Sequence, residues 1–194
     1  MSYVVAVKSL SDIIDATKAL PKDIQIAARN AVNGTLRRTR TASSKAIRNQ
    51  IAFGAAYLDQ NKRLSVTKFA TTSDPAGTIT GRDRPTSLAR FATKSGRGVT
   101  IQVKPGASRH SKKAFFIKLK SGSASIETKF NLGLAIRLKA GEKIDNKTKM
   151  IKISQGLYAL YGPSVAQIFK GVADAAAPEA AQYLETEFLR LMEL

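Results

Sequence analysis

The chain has no cysteine and no tryptophan, and its 194 residues include a single histidine, His110. Without cysteine there is no disulfide framework and no thiolate metal site, and the redox compartment is not legible. A lone histidine leaves little with which to activate a serine or lysine nucleophile. Long apolar runs are also missing. No stretch approaches the roughly 18 uncharged apolar residues that a membrane span requires. Near the N-terminus, Tyr3-Val4-Val5-Ala6-Val7 has no basic residue before it and fails as a secretory signal. The expectation is a chain with no membrane partner, kept in a cytoplasm until it is assembled into something larger.

Carboxylates are the next scarcity. Fourteen Asp and Glu face 32 Lys and Arg, a formal charge of +18. Such an imbalance repels itself and calls for a counter-charge: nucleic acid, an acidic protein surface or an anionic membrane. It is also uneven. No carboxylate occurs between Asp23 and Asp59, a gap that holds Arg29, Arg37, Arg38, Arg40, Lys45 and Arg48. None occurs between Asp83 and Glu127, where Arg109, Lys112 and Lys113 lie. The C-terminal segment inverts, with Glu179, Glu185, Glu187 and Glu193 against Arg190. A protein with basic and acidic ends can contact copies of itself as well as a polyanion.

The same scarcity argues against catalysis. Asp12 and Asp15 suit helix initiation, and Glu185 and Glu187 a solvated helix face. Glu142 and Asp145 stand in a lysine-rich loop without the further oxygen ligands of a calcium loop. Gly77, Gly81, Gly96 and Gly98 do not fit a phosphate-binding glycine motif. The reading is a protein that is not an enzyme and uses no metal and no cofactor.

The pattern along the chain predicts an α+β fold in one domain over 1–194. A long N-terminal helix and a C-terminal helix pack on a small antiparallel β-sheet with long loops. Tyr3–Val7 reads as a strand and Ser11–Leu20 as a capped helix. From Ile24 to Ile51 there is no proline, and Ile24, Ala28, Val32, Leu36, Thr39, Ser43, Ile47 and Ile51 line one helical stripe. Arg37, Arg38, Arg40, Lys45 and Arg48 fall mostly on the other side. Ala55–Gln60 reads as a helical turn and Arg63–Phe69 as a strand. Residues 71–98, rich in Thr, Ser, Gly and Pro, read as a long loop or arm. A short strand at Gly77–Thr80 and a turn near Leu88 are expected within it.

Alternation then predicts half-buried strands at Val99–Lys104, at Phe115–Lys120 and at Leu132–Lys139. Pro105–Lys113 is expected as a basic hairpin loop with His110 an exposed passenger, and 121–129 as a mobile hairpin tip. Met150–Ile153 adds a short strand. After Gly162-Pro163 comes a helix, and Pro178 sits where the first turn of another is expected. Ala177, Ala181, Leu184, Phe188 and Leu191 then face a sheet or the long N-terminal helix.

Basic residues in the two carboxylate-free stretches are the candidate contacts: Arg37, Arg38, Arg40, Lys45, Arg48, Arg109, Lys112 and Lys113. They have two destinations, the DNA backbone or acidic protein surfaces. Tyr57, Phe69 and Phe91 are too scattered for a stacking platform, so a nucleic acid would be held sequence-independently by its phosphates.

One segment goes further. The run Gln155-Gly156-Leu157-Tyr158-Ala159-Leu160-Tyr161-Gly162-Pro163-Ser164-Val165 leads through Phe169 into a closing helix. Upstream lie Ala114-Phe115-Phe116, the short basic strand at Lys62-Arg63-Leu64 and a long Ala/Arg-rich helix. In this order the chain resembles the minor tail protein Z family of lambda-like tailed bacteriophages, the tail completion proteins. The resemblance implies a virion structural protein at the head-proximal end of the tail, made in the host cytoplasm and placed in the neck. It implies a role in head–tail joining and DNA positioning. Its partners would be copies of itself, in a ring of six from family context, with the tail terminator, tail tube and head-connector proteins and the genomic DNA. It brings no catalytic residues. The Leu160-Tyr161-Gly162-Pro163-Ser164-Val165 run is its most specific part, and the corner Tyr161, Gly162, Pro163 and Ser164 within it reads either as a packing corner or as a partner contact.

Overall fold

The computed structural model describes residues 21–119, 132–139, 141–142 and 149–193. The strand expected at Tyr3–Val7, the helix at Ser11–Leu20 and the tip at 121–129 lie outside these residues. The fold is α+β, with a long helix, a C-terminal helix and antiparallel sheets. It divides into two compact units.

The first unit holds Met1–Arg48, Gly54–Asp83 and Val165–Leu194. Helix α1 runs over Lys22–Gln50, with Asp23 in its first turn and Arg48 in its last, each favourable to the helix dipole. At 1.5 Å per residue it is roughly 40 Å long. Its buried residues are small: Ala27, Ala31, Ser43 and Ser44, with Ile47 the one large side chain. Small residues let other backbone approach closely. Asn33 exploits this by donating through Nδ2 to the Ala70 carbonyl at 3.1 Å and accepting the Ala70 N–H at 2.9 Å. A short helix α2 (Ala55–Asp59) and a 3-10 turn (Gln60–Lys62) follow. Strands β1 (Leu64–Lys68) and β2 (Thr78–Gly81) pair antiparallel, Leu64 opposite Gly81.

Helix α3 spans Val165–Met192 as one helix with Pro178 inside it. This corrects the expected break at Pro178. Proline lacks the N–H and leaves one helical bond unmade. The alanines around it, Ala175, Ala176, Ala177, Ala180 and Ala181, are the best helix formers and carry the helix through. The buried residues of α3 are all in its first third: Val165, Ala166, Phe169, Val172 and Ala173.

The second unit holds Asn49–Phe53 and Arg84–Ser164. Here the strands form two sheets. One is β4 (Ala92–Lys94), β5 (Val99–Lys104) and β6 (Ala107–Ser111) in the order β4-β5-β6. The other contains β3 (Thr86–Ser87), β7 (Ala114–Lys118), β8 (Leu132–Arg137), β9 (Lys149–Ser154) and β10 (Leu157–Gly162). In it β10 pairs with β9, β8 and β3, and β8 with β7. A 3-10 turn, Leu88–Phe91, supplies two core side chains, and the Phe91 ring lies 5.3 Å from that of Phe53.

Three expectations change here. Residues 71–98 hold the expected short strand, as β2, and the expected turn at Leu88–Phe91, but also β3 and β4, which were not expected, and buried Ile79, Leu88 and Phe91 anchor the segment. Residues 105–113 are not a hairpin loop between β5 and β7. They hold β6, which takes the free edge of β5 with Arg109 opposite Ile101, while β7 pairs with β8. And β8 is not half-buried. Gly133, Leu134, Ala135 and Ile136 are all buried, and the Leu119 and Ile117 side chains lie over Gly133, where a Cβ would come within about 3 Å of them.

Candidate functional site

The α1 arginines are not free cations. The Arg37 guanidinium lies 5.7 Å from the Phe69 ring centroid. Arg38 stacks 4.5 Å over Tyr183 and lies 3.7 Å from Glu179. Arg40 donates twice to the Leu64 carbonyl, each at 3.1 Å, and pairs with Asp59. Arg48 donates back to the Ser44 carbonyl at 3.3 Å. Lys45 is exposed and has no ion pair with any described residue. Most of this row therefore ties α1 to the rest of its own unit. A shallow cleft lined by Arg38, Ala42, Ala176, Glu179, Ala180 and Tyr183 has room for about one water molecule.

Arg63 is a buried cation that sequence reasoning missed. It is 8% exposed, donates from one terminal nitrogen to the Tyr57 carbonyl at 2.9 Å, and lies 4.1 Å over the Tyr57 ring. Its Nε has no acceptor. Burial lowers its pKa, Tyr57 opposes that and nearby Arg82 adds to it. Nothing in a single sequence distinguishes it from the basic residues on either side.

In the second unit Arg109 stands on β6, and Lys112 is exposed in the turn after it. Lys113 pairs with Glu142, which also accepts the Lys139 N–H at 3.2 Å. The Lys113 hydrogen bond, then that of Lys139, holds the Glu142 carboxyl below the usual glutamate range. With the folded pKa below the unfolded one, the tie is complete above the ordinary glutamate pKa. It is lost as pH falls through the lowered value. A carboxyl-carbon NMR titration should show the Glu142 midpoint moving up in Lys113→Gln, and an unmoved midpoint would contradict the tie. His110 is exposed, as expected, with its Nε2 3.1 Å from the Arg97 carbonyl and its Nδ1 3.4 Å from Thr100 Oγ1.

The charge divides unequally between the units. The second holds 17 of the 32 Lys and Arg but only three of the 14 carboxylates, Glu127, Glu142 and Asp145, so it carries +14 of the +18. Lys94, Arg97, Lys104, Lys112 and Lys118 are exposed on or beside its strands. Glu142, its one described carboxylate, is already engaged by Lys113.

The corner Tyr161-Gly162-Pro163-Ser164 is built as packing. Tyr161 and Gly162 pair with Ser87 and Thr86, and Thr86 and Ser164 are buried. A Cβ at Gly162 would stand 3.0 Å from Leu88 Cδ2. Among the described residues no group of three His, Asp or Glu could hold a metal ion, and no helix is long and apolar enough to cross a membrane. No family model, no curated protein and no solved structure matches the chain. The family reading therefore rests on the residues quoted for it.

Proposed function

We propose that this chain is a binding and assembly protein of a tailed bacteriophage particle. It is a tail completion protein at the head-proximal end of the tail, and its strand-rich second unit meets the phosphates of the genome. The observation that carries the polyanion part is the partition of charge, +14 in that unit. A concentration of cations with few carboxylates releases counterions on binding a phosphate backbone and needs no base-reading groups. The family part is supported by the Leu160-Tyr161-Gly162-Pro163-Ser164-Val165 run and the order of elements before it.

Binding to random-sequence duplex DNA should weaken steeply with salt. Lys104→Gln with Lys112→Gln should make the log–log slope less steep by roughly 1.8, two phosphate contacts at about 0.9 each. Lys45→Gln on α1 should leave it nearly unchanged. A flat salt dependence, or an equal effect from Lys45→Gln, sinks the assignment. The charge partition equally suits a free sequence-independent nucleic-acid-binding protein. Mass spectrometry of purified particles with a deletion phenotype separates the two. The chain in the particles, with heads and tails that fail to join in its absence, supports the virion reading; a chain missing from particles removes it.

A further inference from the structure

The three most exposed large apolar side chains among the described residues are Leu189 at 55%, Ile153 at 47% and Ile151 at 46%. They fall in two places. Ile151 and Ile153 are on β9, which pairs with β10 alone, so its outer edge has no strand partner among the described residues. Five of its six residues are exposed, and two of those are Lys149 and Lys152. Leu189 is near the end of α3, far beyond the last buried residue, Ala173. Spacings of three and four place Glu185, Leu189, Met192 and Glu193 on one helix face, and Met192 is 41% exposed. Glu187 is tied to Arg190 at 2.8 Å. Glu185 and Glu193 have no ion pair with any described residue, and neither do Lys149 and Lys152.

One surface is apolar and acidic, the other apolar and basic. We propose that they fit each other between molecules: the end of α3 on one copy docks on β9 of a second copy. Leu189 and Met192 then cover Ile151 and the bulged Ile153, and Glu185 and Glu193 meet Lys149, which shares the Ile151 face of the strand. Like surfaces do not suit one another. Two β9 edges would bring lysines together on units of +14 each, and two α3 ends would bring carboxylates together. Because the two surfaces differ, the contact is heterologous and every copy keeps one of each open, so it propagates from copy to copy. This deepens the self-assembly part of the proposed function and does not depend on the phosphate contacts.

The absence of native cysteine makes the test direct. One full-length chain carries Leu189→Cys and another Ile153→Cys, and the two are mixed under mild oxidation. The expected result is a disulfide heterodimer well above the homodimers that either chain forms alone. In sedimentation equilibrium, Glu185→Lys with Glu193→Lys should weaken self-association about tenfold or more. Adding Lys149→Glu should restore part of it and adding Lys152→Glu, on the other face of the strand, should not, with unchanged circular dichroism throughout. The proposal is overturned if the heterodimer does not exceed the homodimers. It is also overturned if a chain with both cysteines closes its disulfide internally and stays monomeric, or if Lys149→Glu restores none of the association. A lost DNA affinity with intact cross-linking would remove the phosphate reading alone.

Discussion

Gly98→Ala should dismantle the three-stranded sheet of the second unit. Gly98 has φ +107°, a conformation that L side chains rarely adopt and that costs on the order of 1–3 kcal/mol for any other residue. A Cβ there would stand 2.2 Å from the Ser111 carbonyl oxygen and 2.8 Å from Lys112 Cα. Both obstacles are backbone. Ser111 is held opposite Val99 in the β5–β6 ladder, so it yields only if that pairing opens. Strain and overlap together should exceed about 3 kcal/mol, a large part of the 5–15 kcal/mol of a typical domain. The melting midpoint should fall by roughly 6 °C or more, and amides of β4, β5 and β6 should lose most hydrogen-exchange protection. DNA affinity should drop with them. Gly96→Ala is the control: its φ is +46°, nothing lies within 4 Å of the added methyl, and about 1 kcal/mol is expected. A Gly98→Ala protein that melts within about 2 °C of the parent would refute the account.

The helix α1 was legible because nothing in Ile24–Ile51 breaks it and its apolar positions recur at helical spacing. Strand β6 was not, because Ala107-Ser108-Arg109-His110-Ser111 has no alternation to read. An edge strand exposed on both faces needs none; its pairing comes from the edge that β5 leaves free. The rule of alternation failed differently at β8, where a strand buried on both faces hides its second face in Gly133 and Ala135. The candidate cations failed for a third reason. In sequence Arg37, Arg38 and Arg40 look unpaired because no carboxylate is near. Their partners, Phe69, Tyr183, Glu179, Asp59 and the Leu64 carbonyl, lie 19 to 145 positions away and meet them only in the fold. The charge partition was hidden likewise, since the first unit is assembled from three separate stretches.

Phe169→Ala tests how α3 is held. Phe169 is 1% exposed and is the largest fully buried side chain. The fully buried residues of the helix are all in its first third, Val165, Ala166, Phe169, Val172 and Ala173; beyond Ala173 its described residues are at most half-buried, with Tyr183 under the Arg38 guanidinium. Its start is fixed to the residue just after β2 by the Ala166 N–H donating to the Arg82 carbonyl at 3.0 Å. A Cβ on Gly81 would come within 2.9 Å of Ala166 Cα, so helix and strand touch backbone to backbone there. Alanine at 169 removes the ring and leaves a cavity, at about 3–5 kcal/mol. The surface pair Arg38–Glu179 cannot compensate, since an exposed pair contributes about 1 kcal/mol at most. The melting midpoint should fall by roughly 10 °C. Trypsin should then cut at Lys170 and Arg190 under conditions where the parent resists. Phe169→Leu keeps most of the volume and should lose about 1.5 kcal/mol or less. If the two variants melt alike, the anchor lies elsewhere. If Phe169→Ala releases α3 but copies still associate with parental affinity, the helix end cannot be the surface that joins them.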